Sequence, residues 1–207
     1  MQKNIYNKFE KQLIPTLPRV TFEGRIHVIL TPGETNRAVR YLLNQPILGF
    51  DTETRPSFRK GHTHKVSLLQ VATEDTCFLF RLHHTGLTPA IISLLEDTTV
   101  TKVALSWSDD VHALHTIGDF QTGTFVELQK LVTELGIEDM SLQKLYANIF
   151  GRRISKRAQL TNWDADVLDD SQKAYAATDA WACVMLYKEI MRLLKTKDYQ
   201  LIVNETV

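Results

Sequence analysis

The chain has no excess of charge of either sign: 24 lysines and arginines are matched by 24 aspartates and glutamates across 207 residues. Bulk electrostatics therefore gives no support to polyanion binding, and any such affinity has to come from local patterning. Cysteine is scarce. Cys77 and Cys183 fall in an apolar strand pattern and an apolar helix pattern, where buried free thiols are common, so a disulfide is not expected. Long hydrophobic runs are missing as well. No stretch approaches the roughly 20 apolar residues that cross a bilayer, and the opening Met1-Gln2-Lys3-Asn4-Ile5-Tyr6 lacks the basic-then-apolar order of a signal peptide. The expectation is a soluble, intracellular protein of the cytoplasm with no membrane partner. Internal repeats and low-complexity segments are absent. His62, His64, His83, His84, His112 and His115 match no zinc motif and read as exposed or core-edge histidines.

What is present is enough apolar content, 43%, for one well-buried core but little room for a second. A single domain over residues 1–207 is expected, with an irregular polar arm at 1–20, marked by Pro15 and Pro18, ahead of a core at 20–195. Arg25 to Leu30 reads as a strand, and Thr31-Pro32 opens a capped helix running to Leu43. Two further strands, Lys65 to Ala72 and Thr76 to Leu82, flank Thr73-Glu74-Asp75, and a short strand follows at Lys102 to Leu105. Helices are expected at Thr88 to Leu95, Asp109 to Thr116, Phe125 to Leu135, Ser141 to Phe150 and Ser171 to Leu194. The fold class is α/β, a mixed sheet flanked by helices.

Acidic residues stand out against this frame. In Ile47-Leu48-Gly49-Phe50-Asp51-Thr52-Glu53 a buried strand ends with two carboxylates that alternation puts on one face, an arrangement with no packing reason. Tyr175 and Asp179, four residues apart, share one helix face, and the neighbouring Ala176, Ala177 and Ala180 leave room for ligands. Asp169 with Gln172 resembles a capping box for that helix. Ser108 reads as the N-cap of another helix whose first turn holds Asp109 and Asp110, a position the macrodipole favours for any acid. If the three segments converge, about four negative charges meet, and like charges at close range stay ionised only beside cations. Oxygen-only ligands favour Mg²⁺ or Mn²⁺ over zinc.

The three segments, in order, resemble the motifs of the DEDD superfamily of 3′-5′ exonucleases, in the subclass whose third motif is Tyr-x-x-x-Asp. Most specific is the stretch from Thr161-Asn162-Trp163 through Leu168 and Gln172 to Tyr175-Ala176-Ala177-Thr178-Asp179-Ala180, which is similar to Werner-syndrome-type exonuclease domains and to ribonuclease D. The likeness runs from about Val20 to Leu194, and Phe58-Arg59-Lys60-Gly61 with Lys65-Val66-Ser67-Leu68-Leu69-Gln70 tilts it toward the Werner-type branch. It implies a ribonuclease H-like fold and stepwise hydrolysis at a 3′ end, on DNA, releasing nucleoside 5′-monophosphates with the help of two divalent ions. Asp51, Glu53, Asp110 and Asp179 would hold them, Asp51 bridging both. The family places its second acid four residues before a leucine, which selects Asp110, paired with Leu114, over Asp109. Tyr175, with an ordinary pKa of about 10, would orient the attacking water rather than deprotonate it. Two alternatives stay open: an RNA-trimming exoribonuclease of the ribonuclease D type, and a non-catalytic nucleic-acid-binding module.

Contacts to nucleic acid are expected beside the first motif, from Thr54, Arg55, Phe58, Arg59 and Lys60, and from Lys156 between the second and third. Phe58 sits in a polar, basic loop that also contains His62, His64 and Lys65, and aromatic faces stack on single-stranded bases without sequence preference. Arg152, Arg153 and Arg157 surround Lys156 in a second basic cluster. Trp163 reads as structural. Thr54 stands where Werner-type domains usually carry a large aromatic, and Val167 where they carry proline.

Overall fold

The computed structural model describes residues 2–59 and 61–204. Chain order is β1 (Lys3–Tyr6), β2 (Arg25–Ile29), α1 (Pro32–Leu42), β3 (Ile47–Thr54), β4 (Val66–Ala72), β5 (Thr76–Arg81) and α2 (Leu82–Thr85). It continues through α3 (Pro89–Glu96), β6 (Thr101–Ala104), α4 (Trp107–His115), β7 (Phe125–Glu127), α5 (Leu128–Glu134), α6 (Leu142–Phe150), α7 (Asp170–Thr196) and β8 (Tyr199–Ile202). Six strands form one sheet in the order β2-β5-β4-β3-β6-β7. β4 is antiparallel to both its neighbours, β3 and β5, and the outer pairings are parallel. This is the mixed sheet expected of the sequence, in the ribonuclease H-like arrangement.

Alternation along the central strands sorts the core into two layers. Leu48 and Phe50 of β3, Leu69 and Val71 of β4, and Phe78 and Phe80 of β5 face α1, α3 and α4, where they meet Val39, Leu42, Ile91, Leu94, Trp107 and Leu114. On the other face Leu68, Ala72, Cys77 and Leu79 meet Ala176, Ala177 and Ala180 of α7. Both cysteines are buried free thiols. α7 lies so close to β3 that a Cβ on Gly49 would fall 2.0 Å from the carbonyl oxygen of Ala180. Glycine on the strand and alanines on the helix are what permit that approach. The three alanines are therefore packed to zero exposure and leave no room for a ligand, contrary to the expectation drawn from their size.

Two other expectations need correcting. Residues 1–20 are not wholly irregular: β1 pairs in parallel with β8, from Lys3 opposite Tyr199 to Tyr6 opposite Ile202, and Lys11–Thr16 forms a 3-10 helix. Asn148 of α6 holds the arm down by accepting from the Tyr6 amide at 2.9 Å and donating to its carbonyl at 2.7 Å, standing in for a neighbouring strand. The segment from Phe125 to Leu135 is not one helix. Its first three residues pair with β6 as β7, because Phe125 and Val126 are needed to extend the sheet edge, and the helix begins only at Leu128. Among the described residues no helix is long and apolar enough to cross a membrane.

Candidate active site

β3 delivers Asp51 and Glu53 to the α7 face of the sheet, and its pairing with β4 slips just beyond them, between Glu53 and Thr54. A bulge there ends the regular ladder and splays the chain into the loop that follows. α7 starts with the expected capping box, Asp169 accepting from the Gln172 amide at 2.8 Å while Gln172 Oε1 accepts from the Asp169 amide at 3.0 Å. Fixed at that end and pressed onto β3 by the Gly49 contact, the helix aims Asp179 at the strand carboxylates. One oxygen from each of Asp51, Glu53 and Asp179 lies within 4.8 Å of the others.

Asp110 stands beside this triad, in the first turn of α4. The N-cap of α4 is Ser106, not Ser108: Ser106 has φ of 59°, in the left-handed region, and its side chain makes no capping bond. Glu127 at the end of β7 takes over that duty, its carboxylate accepting from the amides of Ser106 at 3.0 Å and Trp107 at 2.8 Å. A non-glycine residue held at positive φ is a strained position maintained by its surroundings, here by Glu127 and by Gln129, which donates to Ser106 Oγ at 2.7 Å. The turn sets Asp110 toward β3, where the Thr52 hydroxyl donates to its carboxylate. Asp109 is exposed. Thr52, Glu127 and Gln129 carry no signal in the sequence, because each acts through a partner distant in the chain.

The electrostatics of the cluster are those of uncompensated acids. Burial, reinforced by the Asp179 charge, pushes Asp51 up to about 8. Burial and then the charges of Asp51, Asp179 and Asp110 push Glu53 up to about 10. Asp110 rises to about 8 through burial and the Asp51 charge, with the Thr52 bond opposing. Asp179 rises least, to about 7, because the Tyr175 hydroxyl and the charge of Lys156 offset its burial. Burial first, and then the charge of Asp179, drive the Tyr175 phenol far above its usual range, so at neutral pH it is a hydrogen-bond donor and not a base. Asp179 Oδ1 is buried and has no partner among the described residues. Oxygen-only donors, mutual repulsion and an orphaned carboxylate oxygen together fit hard divalent cations.

A cleft of about 410 Å³ opens over the triad, lined also by Ser106, Met140, Lys156, Gln159, Tyr175 and Cys183. Glu53 and Gln159 are shared with a second cavity of about 590 Å³, bounded by Thr54, Arg55, His62, His64, His112 and Leu160. Among the residues expected to meet nucleic acid, Lys156 thus lies in the first cavity and Thr54 and Arg55 in the second. Arg55 is 3.9 Å from Asp164. Phe58 is 87% exposed and Arg59 is exposed; Lys60 lies outside the described residues. Trp163 is fully buried and donates to the Gln159 carbonyl at 3.2 Å, a structural role. Val167, 81% exposed, precedes the buried Leu168 without disturbing the entry to α7. Leu160, 68% exposed at the cavity mouth, carried no signal in the sequence.

Comparison with known proteins agrees with this geometry. Residues 26–195 match the 3′-5′ exonuclease family. The chain is 29% identical over 153 residues to the bifunctional 3′-5′ exonuclease/ATP-dependent helicase WRN of Mus musculus, a match covering 71% of this chain and 11% of that protein. It is 30% identical over 195 residues to a 3′-5′ exonuclease of Arabidopsis thaliana, covering 85% of this chain and 67% of the other. It therefore spans about a tenth of the mouse relative and two thirds of the plant one. The crystal structure of the Aedes aegypti Nibbler EXO domain superposes with a TM-score of 0.75 at 22% identity, over 87% of this chain and 95% of that one, which shows the shared fold. With a family match over most of its length and Asp51, Glu53 and Asp179 gathered in one cleft, the chain belongs to the 3′-5′ exonuclease family.

Proposed function

We propose that the cleft hydrolyses the terminal phosphodiester at the 3′ end of DNA, with two Mg²⁺ or Mn²⁺ ions held by Asp51, Glu53, Asp110 and Asp179. The observation that carries this reading is the convergence of three carboxylates within 4.8 Å, in a setting that keeps them protonated unless cations compensate. Bound divalent ions in such sites lower the pKa of a water and stabilise the charge on the departing oxygen. In the net reaction the oxygen of water adds to phosphorus, the bond from phosphorus to the 3′ oxygen of the penultimate nucleotide breaks, and that oxygen takes up a proton. The products are a nucleoside 5′-monophosphate and a strand with a new 3′ hydroxyl.

The chain's own groups divide the remaining work. Tyr175, protonated and next to Asp179, orients the attacking water by donating to it. Lys156, exposed on the cleft wall, offers a cation to the scissile phosphate. Arg55, Arg59 and Phe58 sit on the loop leaving β3, placed to follow the strand as it enters. The likeness of the Phe58–Gly61 and Lys65–Gln70 segments to Werner-type domains supports DNA as the substrate.

Purified protein is tested on end-labelled, sequence-matched DNA and RNA, each single-stranded and as a recessed duplex, with Mg²⁺ or Mn²⁺. The expected result is a ladder shortening from the 3′ end of DNA, lost on Asp51→Ala or Glu53→Ala. Full activity in EDTA or a ladder from the 5′ end overturns the mechanism, and faster turnover of RNA overturns the substrate assignment.

A further inference from the structure

Gln70 of β4 is fully buried, and among the described residues neither its amide nitrogen nor its amide oxygen has a hydrogen-bond partner. Leaving a buried amide unpaired is destabilising, so a glutamine at a position with the size and surroundings of a leucine calls for a reason. Its surroundings supply one. Directly opposite residues in an antiparallel pair point to the same face with Cβ atoms about 4.5–5.5 Å apart, and Gln70 is opposite Asp51 on one side and Leu79 on the other. Along its own strand the same-face neighbours are Leu68 and Ala72, and Leu68, Ala72 and Leu79 are all fully buried in the layer beneath α7. Of these four neighbours, Asp51 alone has a polar side chain. Its diagonal neighbours are Gly49 and Glu53 on β3 and Cys77 and Arg81 on β5; the Arg81 guanidinium donates to the Ala165 carbonyl yet, among the described residues, its buried Nε has no partner.

We propose that Gln70 is a positioning residue for Asp51: with cations in the cleft its amide nitrogen, unpartnered in this structure, turns to donate to the Asp51 carboxylate opposite it, fixing the rotamer that presents the other carboxylate oxygen to the cleft. The proposal rests on the reading of Asp51 as a metal ligand. A neutral amide suits the task, because it can hold a carboxylate without competing with cations for its charge. Lysine or arginine at this place would neutralise the ligand it supports. The amide oxygen then faces away from the acids, toward the side of the sheet where Arg81 Nε supplies a donor.

The test is Gln70→Met, which keeps length and apolar volume and removes both polar atoms. Mn²⁺ binding to the protein, followed by electron paramagnetic resonance without substrate, is expected to weaken about 10- to 100-fold, the usual consequence of losing a partner to a metal ligand. kcat on a 3′-end-labelled oligonucleotide falls in step while KM stays within about twofold, since substrate contacts are untouched. Thermal stability in EDTA is expected to hold or rise. Unchanged Mn²⁺ affinity and kcat in a folded variant overturn the proposal and leave the exonuclease reading intact. Absence of Mn²⁺ binding by the wild-type protein overturns both. Should Gln70→Met fail to fold, a crystal structure of the wild-type protein soaked with Mn²⁺ decides: Gln70 Nε2 within hydrogen-bond distance of an Asp51 oxygen supports the role, and Nε2 unpaired or paired with a backbone carbonyl removes it.

Discussion

Thr52 donates its hydroxyl to Asp110 although the residues on either side of it, Asp51 and Glu53, project from the opposite face of β3. One short strand therefore serves the site twice, presenting two carboxylates to the α7 side and restraining a third acid that approaches from α4. If this bond sets the Asp110 rotamer, Thr52→Val lowers kcat about tenfold, at the mild end of what loss of a partner to a metal ligand costs. Asp110→Asn lowers it by orders of magnitude and Asp109→Asn scarcely changes it. Steady-state kinetics on the three proteins checks the order, and a larger loss in Asp109→Asn would shift the second acidic ligand by one residue.

Stability is expected to depend on pH in a direction set by the acidic cluster. Asp179, Asp51 and Asp110 are raised to about 7 to 8 in the folded chain, against about 4 for an unperturbed aspartate. Between those limits the folded state binds more protons than the unfolded state, so stability is fully present below about pH 4 and is lost as pH rises through 7 to 8. In EDTA the melting temperature should fall from pH 5 to pH 9. Millimolar Mn²⁺ should raise it by mass action, and more so at pH 8 than at pH 6. Asp51→Asn should flatten both trends; an equal Mn²⁺ shift in that variant would place the ions elsewhere.

Gly49→Ala puts a methyl group 2.0 Å from the Ala180 carbonyl oxygen and 2.8 Å from the Val184 side chain. Backbone does not yield as a side chain does, so α7 has to lift from the sheet. A loss of at least about 1–3 kcal/mol in urea denaturation is expected, with a fall in activity out of proportion because Asp179 moves with the helix. Retention of full activity would mean that the site tolerates displacement of its third carboxylate.

The loop after β3 is expected to govern strand binding. Phe58→Ala should weaken single-stranded DNA by about 1 to 3 kcal/mol if the exposed ring stacks on a base, and wild-type affinity should fall steeply with added salt. Fluorescence anisotropy with a labelled oligonucleotide measures both. Affinity unchanged by the substitution would return Phe58 to an ordinary loop aromatic.

The grouping of Asp51, Glu53 and Asp179 is legible in the sequence where the pattern is local. Asp51 and Glu53 share a face because strands alternate, Tyr175 and Asp179 because helices repeat, and both patterns are visible within a few residues. Legibility failed where a residue acts through a distant partner. Ser108 is a fair N-cap by type, but the turn closes at Ser106 because Glu127, some twenty positions away, supplies the acceptor. Phe125 and Val126 fit a helical pattern as well as a strand, and only the open edge of β6 decides between them. The alanines around Asp179 read as space for a ligand, yet small residues serve equally to bring a helix against a sheet, which here is their use. The pairing of the arm is invisible in the sequence because four residues of β1 give too short a pattern and its partner, β8, lies almost the whole chain away.

That distant pairing has a mechanical consequence. β1 and β8 run parallel, so tension applied through the two ends of the chain pulls the strands past one another along their length instead of peeling them apart. The bonds that join them, among them Lys3 amide to Asp198 carbonyl at 3.2 Å and Asn7 amide to Ile202 carbonyl at 3.1 Å, would be loaded together and not one after another. The small second sheet is thus arranged as a shear clamp, and the first resistance to end-to-end stretching would come from it, before the six-stranded sheet that carries the carboxylates bears any load.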